Sequence, residues 1–283
     1  MKPIPNEPRV SAPKKRSFQK PSQDQKRHKS ADTDPVWLYG RHAVAAALSN
    51  SARRFHRVLA TKNALDWIEQ ENSETLSTLL QNVLRLEEAK PQSIDKLLRD
   101  GAVHQGLAAE VDPLPPHRLK EVCDPALPSA PVVVLDQVTD PQNIGAIFRT
   151  SAAMGSKAVI VQDRRTPQLD GALAKAAAGA IETVPCVRVV NVSRALEALT
   201  NIGYICAGLS GSAETSIQAL PRSTPLAIVV GAEGVGLRQK VAEHCSALFR
   251  IDISTAMESL NVSNAAAIAL YEATRDQRTQ TDG

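Results

Sequence analysis

The chain has 283 residues, a formal net charge of +3, 43% hydrophobic residues and 3% aromatic residues. That length allows two ordinary domains with a real core, filled by Ala, Val, Ile and Leu rather than by rings. No stretch approaches the roughly 20 apolar residues of a membrane-spanning helix, the N-terminus lacks the apolar segment of a secretory signal, and the four cysteines and six histidines show no zinc-site spacing, so the expectation is a cytoplasmic globular protein with reduced thiols, no membrane segment and no metal.

Residues 1–35 carry nine Lys or Arg against four acidic residues and few apolar groups. Such a segment cannot bury enough surface to fold and reads as a disordered basic tail. It suits either phosphate contacts on a nucleic acid or a solubilising role. Gly40 opens a helical pattern that runs to Leu48, and RFHRVLAT (54–61) reads as a strand. Helical patterns follow near 63–71 and 74–81, then a short VLRL strand, a helix at 92–99 and a strand at 104–111. This alternation predicts a small α/β domain over 36–111. Proline is dense from Asp112 to Pro131 and resists both helix and sheet, so 112–130 reads as a semi-rigid, extended linker. Alternation then restarts over 131–283. PVVVLDQV (131–138) is continuously apolar, as a strand buried on both faces should be. A helix at 144–154 and strands at 157–163, 184–190, 203–210, 226–233 and 247–253 follow. The expected fold is α/β, a parallel sheet with helices on both faces.

Ligands of such sheets bind beyond the carboxyl ends of the strands. Three segments fall there. In the first, DPQN turns the chain into a helix that Asn143 could cap; Gly145 allows close backbone approach, and Arg149 sits among Ala, Ile and Phe. Arg149 either packs its stem and reaches solvent or aims its guanidinium at a phosphate or carboxylate. The second, GAEGVGL, carries glycines 231, 234 and 236 around Glu233. Its GxxGxG order is neither the dinucleotide fingerprint nor a P-loop. It is a tight strand–helix connection or a turn that meets a ligand. The third, SLNVSN (259–264), places four small polar residues at the mouth of an alanine-rich helix. One cap would suffice, so helix capping and a ligand-binding mouth both remain open.

NIGAIFRT, GAEGVGL and ESLNVSNAAAIALYE, in this order and spacing, resemble the three motifs of the SpoU (TrmH-type) RNA 2'-O-ribose methyltransferases of the SPOUT superfamily. YGRHAV and HQGLAAEV are similar to the L30e-like substrate-binding domain of the subgroup that methylates a guanosine ribose in 23S ribosomal RNA. The resemblance implies a C-terminal trefoil knot, an S-adenosylmethionine site built from its loops, and a homodimer. It implies Asn143, Arg149, Glu233, Ser259 and Asn261 as the catalytic set. Gly231, Ile251 and Leu260 would contact the donor, largely through backbone groups, with Leu260 over the adenine. The third motif departs from the family pattern: Asp252 stands where a proline is usual and Thr255 where a glycine is usual. A guanidinium stays protonated, so the role expected of Arg149 is electrostatic rather than that of a base. Substrate choice would reside in 36–111, with Arg41, His42, Arg53, Arg54 and His104–Gln105 as candidate RNA contacts. Ribosomal RNA is the expected partner, and the neutral thioether leaving group makes a metal unnecessary. A tRNA methyltransferase, a non-catalytic ribosome assembly factor and an unrelated dinucleotide oxidoreductase are the competing readings.

Overall fold

The computed structural model describes residues 34–70, 85–124 and 130–278. The basic segment before residue 34, the expected helix at 74–81 and the first half of VLRL lie outside them. Residues 35–283 fall in one compact unit.

A first sheet of four strands runs in the order β1-β4-β2-β3. β1 (Val36–Tyr39) pairs antiparallel with β4 (Leu107–Val111), which pairs antiparallel with β2 (Phe55–Ala60); β2 pairs parallel with β3 (Leu86–Glu88). Periodicity did not reveal β1, because VWLY is apolar throughout and ends at once on Gly40, whose φ of 93° turns the chain. Helix α1 (Arg41–Leu48) follows it, and a helical stretch α2 covers 62–70. The short helix α3 (Pro91–Asp95) is briefer than the expected 92–99.

The linker region is more structured than its prolines suggest. It contains a one-turn helix, α4 (Leu119–Val122), and Cys123 is completely buried beneath the second sheet. Apolar Leu119, Val122 and Cys123 outweigh the neighbouring prolines, since covering a sheet face removes apolar area from water.

The second sheet has seven strands in the order β7-β6-β5-β10-β8-β11-β9, every pairing parallel. In chain order they are β5 (Val132–Asp136), β6 (Ala158–Gln162), β7 (Cys186–Val189), β8 (Ile205–Leu209), β9 (Thr215–Ser216), β10 (Leu226–Gly231) and β11 (Ala247–Arg250). Helices α5 (Pro141–Ala153), α6 (Gly171–Ala176), α7 (Val192–Asn201), α8 (Gln239–Ala242) and α9 (Val262–Arg278) connect and cover them. All five residues of β5 are buried. Val133 and Leu135 join one core with Ile147 of α5 and Leu270 of α9, while Val132 and Val134 join another with Leu196 of α7. The two-face burial expected for PVVVLDQV is therefore literal, alternating side by side along the strand. From β5 the chain winds outward through β6 and β7, then returns to the other flank, where β10 inserts beside β5. The winding reverses between β5 and β10, and in such sheets the crevice that binds ligands lies outside the carboxyl ends of the strands at this switch point.

The two sheets share the first core, which also holds Leu38, Val44 and Val58. A buried ion pair closes their junction. Arg53, after α1, donates to Glu182 from Nε and Nη2 at 2.8–3.1 Å and from Nη1 to the Asp112 carbonyl at 2.9 Å. The two side chains are 1% and 2% exposed. Asn50 adds a hydrogen bond to Glu182 at 2.8 Å. Gly179, at φ 94°, lets α1 approach: a Cβ there would lie 2.4 Å from that of Ala46. No helix among the described residues is long and apolar enough to cross a membrane.

Candidate active site

The crevice is framed by Asp136 and Gly231, which sit opposite each other in the β5–β10 register. Asp136 is fully buried, and its carboxylate takes the Arg238 backbone N–H at 2.9 Å, Nε at 2.8 Å and Nη2 at 2.6 Å. A lone buried carboxylate is costly, whereas one whose Oδ1 takes two guanidinium donors and whose Oδ2 takes an amide is stable. The pair ties the end of the glycine loop to the end of β5. Sequence reasoning did not single out Asp136 or Arg238; an acid ending an otherwise apolar strand was the available signal.

The loop itself is a tight reversal. Gly236 N–H donates to the Ala232 carbonyl at 2.8 Å, and Gly234 and Gly236 have φ of 78° and 72°. Gly231 is required for packing, since a Cβ would fall 2.1 Å from the Gly236 carbonyl carbon. Glu233 stands exposed at the outer side of this turn.

Helix α5 starts differently from expectation. Its cap is Asp140, whose carboxylate accepts from the Gln142 and Asn143 N–H groups at 3.3 and 3.2 Å. Pro141 at the first helical position, which needs no N–H partner, puts the cap one residue before it. Asn143 is thus freed from capping, and its side chain points to the crevice. Gly145, one turn in, seats α5 on α6: a Cβ would lie 2.5 Å from that of Ala176 and 2.8 Å from the Leu173 carbonyl oxygen.

Asn261 answers both readings of the polar mouth at once. Its Oδ1 accepts from Ser263 N–H at 2.9 Å, Ser263 Oγ at 2.6 Å and Asn264 N–H at 3.4 Å, capping α9. Its Nδ2 donates to Asn143 Oδ1 at 2.9 Å and Glu233 Oε1 at 3.3 Å. One amide therefore links residues 118 and 28 positions away. The structure brings Asn143, Glu233 and Asn261 together by direct bonds. Ser259 and Arg149 are exposed and make no side-chain hydrogen bond or ion pair among the described residues. Arg149 lies on the solvent side of α5, about 120° round the helix from Asn143 at 3.6 residues per turn. Gly231, Ile251 and Leu260 are each partly buried at the ends of the strands or the mouth of α9.

The unusual Asp252 has a definite place. It accepts from Ser216 Oγ at 2.5 Å and Arg250 Nε at 2.9 Å, while Arg250 also grips the Ala213 and Glu214 carbonyls. The Ser216 hydroxyl, helped by Arg250, holds the Asp252 carboxyl below the usual carboxylate range. Hydrogen bonds to Ser216 of the neighbouring edge strand β9 and to Arg250 of β11 thus anchor the segment where the family pattern has a rigid proline. Beyond it, residues 253–260 carry one main-chain hydrogen bond among the described residues, Met257 N–H to the Ser254 carbonyl at 3.2 Å.

Two of the expected RNA contacts are corrected. Arg53 is consumed by the buried pair with Glu182. His104 is buried, with Nε2 3.1 Å from Asp95 and Nδ1 taking the Gly106 N–H at 3.0 Å, and so shapes the turn into β4. Gln105 accepts the Arg41 N–H at the start of α1. His42 and Arg54 are exposed, and Arg41 is half-buried over Trp67.

Residues 130–271 match the model of the SpoU rRNA Methylase family, and residues 37–117 match that of the RNA 2'-O ribose methyltransferase substrate-binding domain. The chain is 36% identical over 242 residues to the 23S rRNA (guanosine-2'-O-)-methyltransferase RlmB of Escherichia coli K12, with 85% of this chain and 98% of that one covered. It is 36% identical over 243 residues to an uncharacterized tRNA/rRNA methyltransferase of Synechocystis, of whose length it spans 62%, with 85% of this chain covered. Its fold is similar to the SpoU methyltransferase AviRb of Streptomyces viridochromogenes, crystallised with AdoMet, at a TM-score of 0.71, 21% identity and coverage of 92% and 95% of the two chains. By the family-model match and the relative of 36% identity, and with Asn143, Glu233 and Asn261 joined at the strand ends of a parallel sheet, the chain belongs to the SpoU rRNA methylase family.

Proposed function

We propose that the protein transfers a methyl group from S-adenosylmethionine to a ribose 2'-hydroxyl of RNA, with a guanosine of 23S ribosomal RNA as target. The observation that carries this is the Asn261 amide, which joins Asn143 and Glu233 at the switch point of the sheet. The residues fit the donor. Apart from the Ala256 and Met257 N–H groups and the Ser254 carbonyl, the peptide groups of 253–260 make no hydrogen bond among the described residues and, with the glycine loop, offer backbone donors and acceptors to an adenine, while the exposed Glu233 carboxylate complements a cationic sulfonium. Gly231, Ile251 and Leu260 would hold the donor. S-adenosylmethionine, when bound, would supply an electrophilic methyl group to the ribose oxygen and leave as a neutral thioether, with the 2'-hydroxyl proton released to solvent.

The chain's own part is alignment and electrostatics. The Asn143–Glu233–Asn261 network fixes amide groups beside the reacting ribose, and such positioning supplies up to about 7–11 kcal/mol in ideal cases. Ser259 adds a hydroxyl at the same mouth. Arg149, exposed and without an ion pair among the described residues, is available to a substrate phosphate, where its planar fork would also stabilise charge developing on the 2'-oxygen. Glu233 orients the Asn261 amide. Residues 36–111 choose the RNA, 112–130 join them to the catalytic segment 131–283, and the basic tail of 1–35 adds phosphate contacts. The bonds from Asn261 to Asn143 and Glu233 bring the C-terminal segment against the segments that follow β5 and β10, as a C-terminal trefoil knot would require. The family resemblance carries the homodimer, in which the exposed Val235, Met257 and Tyr271 are candidates for coverage. The setting is cytoplasmic.

The test is to map 2'-O-methyl groups in total RNA from cells with and without the protein. Loss at a single 23S guanosine is expected. Loss in tRNA alone would replace the substrate, and no loss anywhere would favour an assembly factor.

A further inference from the structure

Both tryptophans of the chain carry an arginine against the ring, but the two pairs are not equivalent. The Arg57 guanidinium lies 5.1 Å from the Trp37 centroid and is neutralised by Glu110 at 2.8 Å. The Arg41 guanidinium lies 5.2 Å from the Trp67 centroid, and its acceptors are two uncharged carbonyls, of Gln105 at 3.4 Å and Asn63 at 3.5 Å. No carboxylate answers it among the described residues. The exposed His42 meets the same indole edge-on, centroids 5.8 Å apart and planes at 88°. From the other sheet, Lys175 of α6 lays its stem beside Gly40, where a Cβ would come 3.4 Å from Lys175 Cγ. Lys175 has no ion pair among the described residues. An indole, an imidazole and a guanidinium thus meet, with the Lys175 stem beside the residue that precedes Arg41, and neither cation is in an ion pair among the described residues.

The cluster is also held at a fixed offset from the crevice. Arg41 and His42 open α1, which the Arg53–Glu182 pair and the Ala46–Gly179 contact lock against the second sheet's side. Lys175 rides on α6, which seats directly on α5 at Gly145. One helix separates the cluster from Asn143.

We infer that Arg41, His42 and Trp67, with Lys175, form a stacking platform for an unpaired nucleotide of the RNA substrate. The base lies against the aromatic and guanidinium layer, as unpaired bases do on such surfaces, and the phosphate meets Arg41 and Lys175. Because the platform is rigidly tied to α5, it sets which nucleotide reaches the crevice. This rests on the RNA reading above, and it adds the residues that select an unpaired, splayed region over a duplex.

The test uses the full-length Trp37→Phe variant, in which Trp67 is the single indole. A 23S rRNA transcript should quench its fluorescence, while a fully paired RNA duplex of equal mass should not. Trp67→Phe in the parent should remove the RNA-dependent signal, so the reading does not depend on one variant's folding. Arg41→Gln with His42→Ala should raise the KM for the transcript about 5- to 150-fold, the range of one base stack, with the S-adenosylmethionine-dependent thermal shift unchanged. Absence of quenching together with an unchanged KM would overturn the platform. The fluorescence arm needs no methyl transfer, so it judges the platform even if the parent protein methylates nothing, an outcome that would instead sink the functional reading.

Discussion

Asn261→Asp separates the two tasks of the Asn261 amide. The oxygen that caps α9 is kept, and its new charge favours the helix N-terminus by about 0.3–1 kcal/mol. The Nδ2 donor is lost. Asn143 can answer by rotating its own amide, but Glu233 cannot, and two carboxylates now face each other across the former 3.3 Å bond. Their repulsion is about 1 kcal/mol in bulk water and about 5 kcal/mol at an effective dielectric near 20. Glu233 is exposed, so the lower figure applies and nearly offsets the dipole gain. Net stability should move by less than about 1 kcal/mol, a Tm change of about 4 °C or less. Asn261→Ala, which loses the cap, should cost about 0.5–2 kcal/mol. Methyl transfer in a single turnover should nonetheless fall about 100- to 1,000-fold in Asn261→Asp, the usual result of removing one positioned donor. Calorimetry and rapid-quench assays read both quantities. An Asn261→Asp enzyme within threefold of the parent at pH 8 would refute the reasoning, as would one less stable than Asn261→Ala.

Arg53→Ala leaves the buried Glu182 carboxylate unpaired and should cost about 3–5 kcal/mol in urea unfolding, much of it regained by Arg53→Met with Glu182→Leu; a loss under 1 kcal/mol would mean the junction is not closed. Asp252→Ala releases the anchor to Ser216 and Arg250 and should weaken S-adenosylmethionine binding several-fold while RNA binding stays the same; equal donor affinity by titration calorimetry would remove its role. Burial pushes the Cys123 thiol up to about 11 and that of Cys245 up to about 12. Their alkylation in the native protein should therefore stay slow at pH 8 and keep rising well above pH 9, and fast labelling near neutrality would contradict the buried placement.

The parallel sheet was legible because its strands are apolar on both faces, and β5 shows why: each side has its own core to fill. β1 was not, since four apolar residues carry no period. The short helix in the linker was hidden behind prolines whose local preference is overridden by burial of Cys123. Convergence of Asn143, Glu233 and Asn261 could be expected from motif resemblance and strand-end position, but not which atom serves which purpose. Pro141 decides that Asp140, rather than Asn143, caps α5. The Asp136–Arg238 pair spans 102 positions, a separation at which no local pattern speaks. Arg53 looked like a surface cation because its partner, Glu182, is equally remote and equally ordinary in sequence.

The most direct measurement of the central claim is to incubate the protein with methyl-labelled S-adenosylmethionine and a 23S rRNA transcript, then digest the RNA with alkali. A 2'-O-methyl group blocks cleavage of the adjacent phosphodiester. The account predicts that the label emerges in one alkali-resistant dinucleotide beginning with guanosine, and that Asn261→Asp slows its appearance about 100- to 1,000-fold. Label released in mononucleotides, as base methylation would give, or no label from the parent protein, would contradict it.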